Sequence, residues 1–245
     1  MAVKRMRVFA GPNGSGKTTI FKGMLAEKEI QLGVYVNADE IELQLAQFST
    51  LSFSEYQLDV LEDTVKHFFR FSQFSPVKRK EENLWQKLKV ENNTLKLDTT
   101  IDSYLAADLA EFIRQQLLEC GVSFTYETVM SHEGKVKFMQ SALQKGYRVY
   151  LYFIATEDPE INISRVNVRV AQQGHAVLPS IVINRYFKSL GLLKAAVTQT
   201  TRAYIFDNSG EKAELIAEVT DGVDVRLNDA ADVPIPNWVA TYLLK

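Results

Sequence analysis

Residues 11–18 read Gly-Pro-Asn-Gly-Ser-Gly-Lys-Thr, a complete G-x-x-x-x-G-K-[ST] pattern. The pattern gathers successive backbone N–H groups at the start of a helix, where unpaired donors and the helix dipole both attract an anion. In such a loop Lys17 reaches the β- and γ-phosphates of a nucleotide, and Thr18 offers its hydroxyl to Mg²⁺. The flanking residues supply the required context. Met6 to Ala10 is a short apolar run that predicts a buried strand, and Thr18 to Glu29 reads as a helix. The residues expected to cradle the phosphates of ATP are Gly11, Pro12, Asn13, Gly14, Ser15, Gly16, Lys17, Thr18 and Thr19.

Beyond the loop, strand and helix patterns alternate. Val34 to Val36 predicts a strand and Glu40 to Phe48 a helix. Ser54 and Gln57 stand in capping-box spacing ahead of an amphipathic helix expected to run to about Phe71. Pro76 to Asn93 breaks the pattern with a charged, solvated connection, and Lys87–Val90 and Thr94–Leu97 flank Asn92-Asn93 as a hairpin would. Helices are then expected over Ser103–Cys120, Lys135–Gln144, Glu160–Gln173 and Pro179–Leu190, with strands at Val122–Tyr126, Tyr147–Ile154, Tyr204–Phe206 and Leu215–Val219. That alternation means an α/β fold whose sheet is mostly parallel and covered on both faces. The chain has 245 residues and 46% hydrophobic content, enough for one sizeable core. The reading is a single domain over residues 1–245, with about 51–100 as a helical and hairpin insertion.

Composition narrows the function. Lys and Arg number 28 against 30 Asp and Glu, a net charge of -2, which disfavours a protein that coats nucleic acid. One Cys and three scattered His leave no zinc-ligand spacing, and Cys120, before Gly121 at a helix end, is expected to be a small packed thiol. No signal peptide or spanning segment is expected, so the cytoplasm is the default location.

The chemistry beside the loop needs acids and cations. Two predicted strands end in Asn37-Ala38-Asp39 and in Glu127-Thr128. In a parallel sheet the functional crevice lies beyond the carboxyl ends of the strands, so both acids are expected beside the loop, to hold Mg²⁺ through water or to take a proton from an acceptor hydroxyl. No Asp or Glu occurs between Glu160 and Asp207, a stretch holding Arg165, Arg169, His175, Arg185, Lys188, Lys194 and Arg202. Arg165 and Arg169 are i and i+4, on one helix face. The expectation is a lid that brings cations to the transferring phosphate and excludes water.

Taken together, these residues resemble the zeta-toxin family of P-loop kinases. The likeness runs through Phe9 to Thr19, Asn37-Ala38-Asp39-Glu40-Ile41, Tyr126-Glu127-Thr128, Arg165-Val166 with Arg169-Val170, Gly174-His175, Asn184-Arg185-Tyr186 and Asp207-Asn208-Ser209. It covers about residues 4–48 and 105–210. The resemblance implies a three-layer α/β/α kinase that uses ATP and Mg²⁺. The founding toxins phosphorylate a hydroxyl of UDP-N-acetylglucosamine and are restrained by an antitoxin. By that similarity Lys17 and Thr18 handle phosphate and metal, Asp39 and Glu127 serve the acceptor site, and Arg165, Arg169 and Arg185 are lid cations. The founding toxins' catalytic Asp lies in a region that does not align, so Asp39, Asp98 and Asp102 compete for the base, with Asp39 favoured. The competing functions are an ATP-gated switch without phosphoryl transfer and a polynucleotide end kinase.

Overall fold

Strand β1 (Arg5–Ala10) is buried from Met6 onward, as its apolar residues predict and with Arg7 buried among them, and leads into the glycine-rich loop and then helix α1 (Lys17–Ala26). The computed structural model describes residues 3–26, 32–71, 83–171, 177–228 and 234–245. Two compact units emerge, residues 1–32 with 125–245, and residues 33–124.

The second unit contains β2 (Val34–Val36), α2 (Ala38–Phe48), β3 (Thr50–Ser52), α3 (Glu62–Phe71), β4 (Leu88–Glu91), β5 (Thr94–Leu97) and α4 (Ser103–Cys120). Strands β3, β5 and β4 form an antiparallel sheet in that order, which begins at Thr50 and otherwise falls within the range read as an insertion. Asn92 and Asn93 take φ of 50° and 58°, the left-handed pair that a two-residue hairpin turn needs. Asn93 also fastens the neighbouring segment: its Oδ1 accepts from Val60 N at 2.9 Å and its Nδ2 donates to Leu58 O at 2.7 Å.

Two expectations fail in this unit. Ser54 and Gln57 do not open a helix. Phe53–Tyr56 form one 3₁₀ turn that Gln57 closes at φ 57°, and the helix begins only at Glu62. The apolar residues Phe53, Tyr56, Leu58 and Val60 are all buried, a spacing that an α-helical face cannot satisfy. Cys120 is exposed rather than packed, because it ends α4 just where Gly121, at φ 73°, turns the chain.

The first unit continues with β6 (Phe124–Thr128), α5 (Glu133–Gln144), β7 (Arg148–Ala155), α6 (Pro159–Ala171), α7 (Pro179–Gly191), α8 (Leu193–Val197), β8 (Arg202–Asp207), β9 (Glu214–Thr220), β10 (Asp224–Leu227) and α9 (Asn237–Val239). Its strands stand in the order β10-β9-β8-β7-β1-β6. β1 runs parallel to β7, with Val8 opposite Leu151, and β7 parallel to β8, with Phe153 opposite Ile205. The sheet is thus parallel through its centre and closes with an antiparallel edge of β8, β9 and β10. The edge strand β10 escaped the sequence reading, although Asp221-Gly222 is a hairpin dipeptide and both residues take positive φ. Among the described residues no helix is long and apolar enough to cross a membrane.

The sheet order sets the junction between β1 and the loop. A Cβ on Gly11, at φ 143°, would stand 1.9 Å from the Ile154 carbonyl oxygen on the adjacent strand. Gly11→Ala is therefore expected to cost about 3 kcal/mol or more, from an unfavourable φ and a backbone clash together. In a thermal melt that is a fall of about 6–12 °C.

Candidate functional site

The loop leaves β1 through a hydrogen bond from Gly11 N to Thr128 O at 3.2 Å, which ties it to the end of β6. Gly14 and Gly16 take φ of 75° and 91°, values that glycine adopts without strain. Thr19 N and Ile20 N both donate to Gly16 O at 3.1 Å, so the first turn of α1 starts at the loop. Lys17 Nζ folds back over the loop and donates to Gly11 O at 2.9 Å and Pro12 O at 2.7 Å. The Ser15 hydroxyl is fully buried and has no hydrogen-bond partner among the described residues. A glycine-rich turn at a helix N-terminus, with an ammonium and a buried hydroxyl beside it, suits a polyphosphate.

Beside this loop the structure brings Thr18 and Glu127 together. The Thr18 hydroxyl donates to Glu127 Oε2 at 2.8 Å, across 109 residues. Glu127 lies on β6 next to Thr128, whose carbonyl holds Gly11, so one strand end both anchors the loop and supplies a carboxylate to its helix.

The expected lid cations have different surroundings. Arg165 on α6 is half-buried, and its guanidinium donates to Asn208 O at 2.7 Å and to Gly210 O at 3.3 Å. Arg169, one turn later, is exposed. Arg185 on α7 reaches the loop itself, donating to Asn13 Oδ1 at 3.4 Å. Gly174 and His175 lie outside the described residues. The helix α7 is seated by Tyr186, whose hydroxyl donates to Thr156 O at 2.7 Å. Burial, and then the nearby Glu157, raise the Tyr186 phenol above the ordinary tyrosine range, so it stays a neutral donor.

Asp207 is committed elsewhere. Its carboxylate accepts from Trp238 Nε1 at 2.9 Å and from the Ser209 hydroxyl at 2.9 Å. The other acids named from the sequence belong to the second unit. Asp39 is exposed in the first turn of α2, a helix capped by Asn37, whose Oδ1 accepts from Asp39 N at 2.9 Å. Asp98 is exposed after β5. Asp102 is the N-cap of α4, its Oδ1 accepting from Tyr104 N at 3.0 Å and Leu105 N at 2.8 Å.

Two residues that touch the loop are given no role by the sequence, although Asn208 stands in the matched stretch Asp207-Asn208-Ser209. Asn162, fully buried on α6, donates to Asn13 O at 2.6 Å, and Asn208, just past β8, donates to Ser15 O at 2.8 Å. A polar residue just beyond a strand's carboxyl end was a signal for Asn208. For Asn162 the signal was weaker, a lone amide on an otherwise apolar helix face.

Comparisons with known proteins bear on the family and on the fold. Residues 100–220 match the model of the family described as Zeta toxin. A protein of Haemophilus influenzae, described as uncharacterized, is 32% identical over 65 residues, 26% of this chain and 46% of that protein. In fold, the chain resembles one in crystals of the AvrRxo1-ORF1:AvrRxo1-ORF2 complex. The form with sulphate ions gives a TM-score of 0.53 and the form with ATP 0.54, each at 14% identity over 94% of this chain and 62% of that one. The chain therefore spans less than two thirds of the length of these relatives.

Proposed function

We propose that the chain, whose residues 100–220 match the zeta-toxin model, is a P-loop kinase of that kind that moves the γ-phosphoryl group of ATP to a hydroxyl of a small acceptor. The observation that carries this reading is the Thr18 hydroxyl bonded to the Glu127 carboxylate at the edge of the phosphate loop. That pair presents two oxygen ligands of the kind Mg²⁺ prefers, and Mg²⁺ completes its shell with water and phosphate oxygens. Mg²⁺ would be held by Thr18, with Glu127 directly or through water, and would neutralise charge on the phosphates.

The chain's own groups divide the remaining work. Lys17 exchanges its two carbonyl partners for β- and γ-phosphate oxygens. Arg185, already against Asn13, and the exposed Arg169 are the cations that close on the phosphate. Arg165 is spent on the Asn208 and Gly210 carbonyls and braces the site. Asp39 takes the acceptor's proton. The acceptor class that the family favours is a UDP-N-acetyl sugar, and a restraining antitoxin belongs to the same proposal. A polynucleotide acceptor fits less well, since the net charge is -2.

The test is incubation with ATP, Mg²⁺ and a panel of hydroxyl-bearing metabolites that includes UDP-N-acetylglucosamine, with mass spectrometry for a product heavier by one phosphate. Chelator is expected to abolish the product. ATP binding without any product across the panel would favour the ATP-gated switch.

The arginines yield a contrasting expectation. Arg169→Ala and Arg185→Ala should lower kcat more than they weaken ATP binding, by about tenfold or more, because their contacts strengthen as charge develops. Arg165→Ala should lower the melting temperature as well, since two carbonyls lose their donor. Steady-state kinetics beside thermal melts separate the two patterns.

A further inference from the structure

The phosphate loop is gripped from outside by two asparagines. Asn162 Nδ2 donates to Asn13 O at 2.6 Å, while its Oδ1 accepts the Thr156 hydroxyl. Asn208 Nδ2 donates to Ser15 O at 2.8 Å. Asn208 is itself fixed at both ends of its backbone: its N–H donates to Ala155 O at 2.8 Å, and its carbonyl accepts from Arg165 at 2.7 Å.

The peptide plane turns these contacts into a directional device. In a trans peptide the carbonyl of one residue and the N–H of the next point opposite ways. Drawing Asn13 O toward Asn162 therefore aims the Gly14 N–H away from it, and drawing Ser15 O toward Asn208 does the same for the Gly16 N–H. Neither N–H has a backbone acceptor among the described residues. The same two asparagines leave no room for side chains there. A Cβ on Gly14 would stand 2.5 Å from Asn162 O, and one on Gly16 would stand 2.2 Å from Asn208 Nδ2.

We infer that Asn162 and Asn208 are positioning residues that set the Gly14 and Gly16 N–H groups for a polyphosphate before it arrives. With the carbonyls already turned outward, the anion meets converged donors and the loop loses little freedom on binding. The inference rests on the phosphate-loop reading of the proposed function. Asn162 and Arg165 both lie on α6, so this helix grips the loop directly through one residue and braces Asn208 through the other.

The experiment measures calorimetric affinity for ATP and for inorganic tripolyphosphate, both with Mg²⁺, in the wild-type chain, Asn208→Ala, Asn208→Asp and Asn162→Ala. Thermal melts establish that each variant is folded. Asn208→Ala is expected to weaken both ligands in parallel, by about tenfold or more, because the Ser15 carbonyl loses its donor and the loop its preset shape. Asn208→Asp keeps the packing but sets a carboxylate against that carbonyl, and should lose more than the alanine variant. In turnover the Michaelis constant for ATP should rise more than kcat falls. A folded variant with unchanged tripolyphosphate affinity, or a lower melting temperature with intact affinity, overturns the inference and leaves the kinase reading standing. Should Asn208→Ala fail to fold, Asn208→Asp and Asn162→Ala decide by the same criteria. A folded wild-type chain that binds neither ligand overturns the kinase reading, and the inference with it.

Discussion

Lys17→Ala is expected to lower ATP-dependent transfer by about 10³-fold, the scale reached when one preorganised donor is removed from a site of developing charge. The folded chain should survive the change. Lys17 Nζ is held by Gly11 O and Pro12 O, two carbonyls at the loop's edge that water can serve once the ammonium is gone. The lost interaction is instead with β- and γ-phosphate oxygens, where a point charge contributes most as the γ-phosphoryl leaves. Stopped-flow or steady-state assays with the melting temperature measured in parallel check it. A folded Lys17→Ala chain with wild-type turnover would remove the nucleotide from this loop.

Asp39→Asn is expected to cost about 10²–10⁴-fold in kcat while leaving ATP affinity largely intact, the signature of a lost general base. The substitution is nearly isosteric, and Asp39 is exposed, so little stability should change. Its rivals need equal treatment. Asp102 caps α4 through two backbone N–H groups, and asparagine caps as well as aspartate. Asp102→Asn should therefore leave both fold and turnover close to wild type, so any large loss there would be chemical and would transfer the base role. Asp98→Asn is expected to be near neutral for stability on the same logic of exposure, so a large loss of turnover there would likewise transfer the base role. Glu127→Gln should act differently, raising the Mg²⁺ concentration needed for half-maximal turnover, because its carboxylate already engages Thr18.

Local chemistry was legible wherever neighbours along the chain decide it. Asn92-Asn93 gave away the hairpin, since two consecutive left-handed residues need asparagine or glycine. Ser103 to Cys120 was readable as a helix to both ends, because Asp102 caps its start and Gly121 stops it. Ser54 and Gln57 misled because a cap is only half a helix signal. The apolar residues after them bury at irregular spacing, and burial prevailed over the motif. Cys120 misled because an apolar thiol at a helix end is buried only if something packs over that end.

The sequence by itself determined the glycine-rich loop with Lys17 and Thr18 at the head of α1, because its motif and the contacts that fold Lys17 back over it span only a few residues. It also determined the strand and helix alternation, which periodicity alone encodes. Glu127 was expected beside the loop as a strand-end acid, but only the tertiary structure decided what each group touches there. Glu127 reaches Thr18 across 109 residues, Asn162 reaches Asn13 across 149, and Asn208 reaches Ser15 across 193. It likewise set Arg165, one of the expected lid cations, against the Asn208 and Gly210 carbonyls. The reason is strand order. β6 and β7 both flank β1, and β8 follows β7, so their carboxyl ends converge on one loop. No local pattern in a chain records which strands will lie side by side.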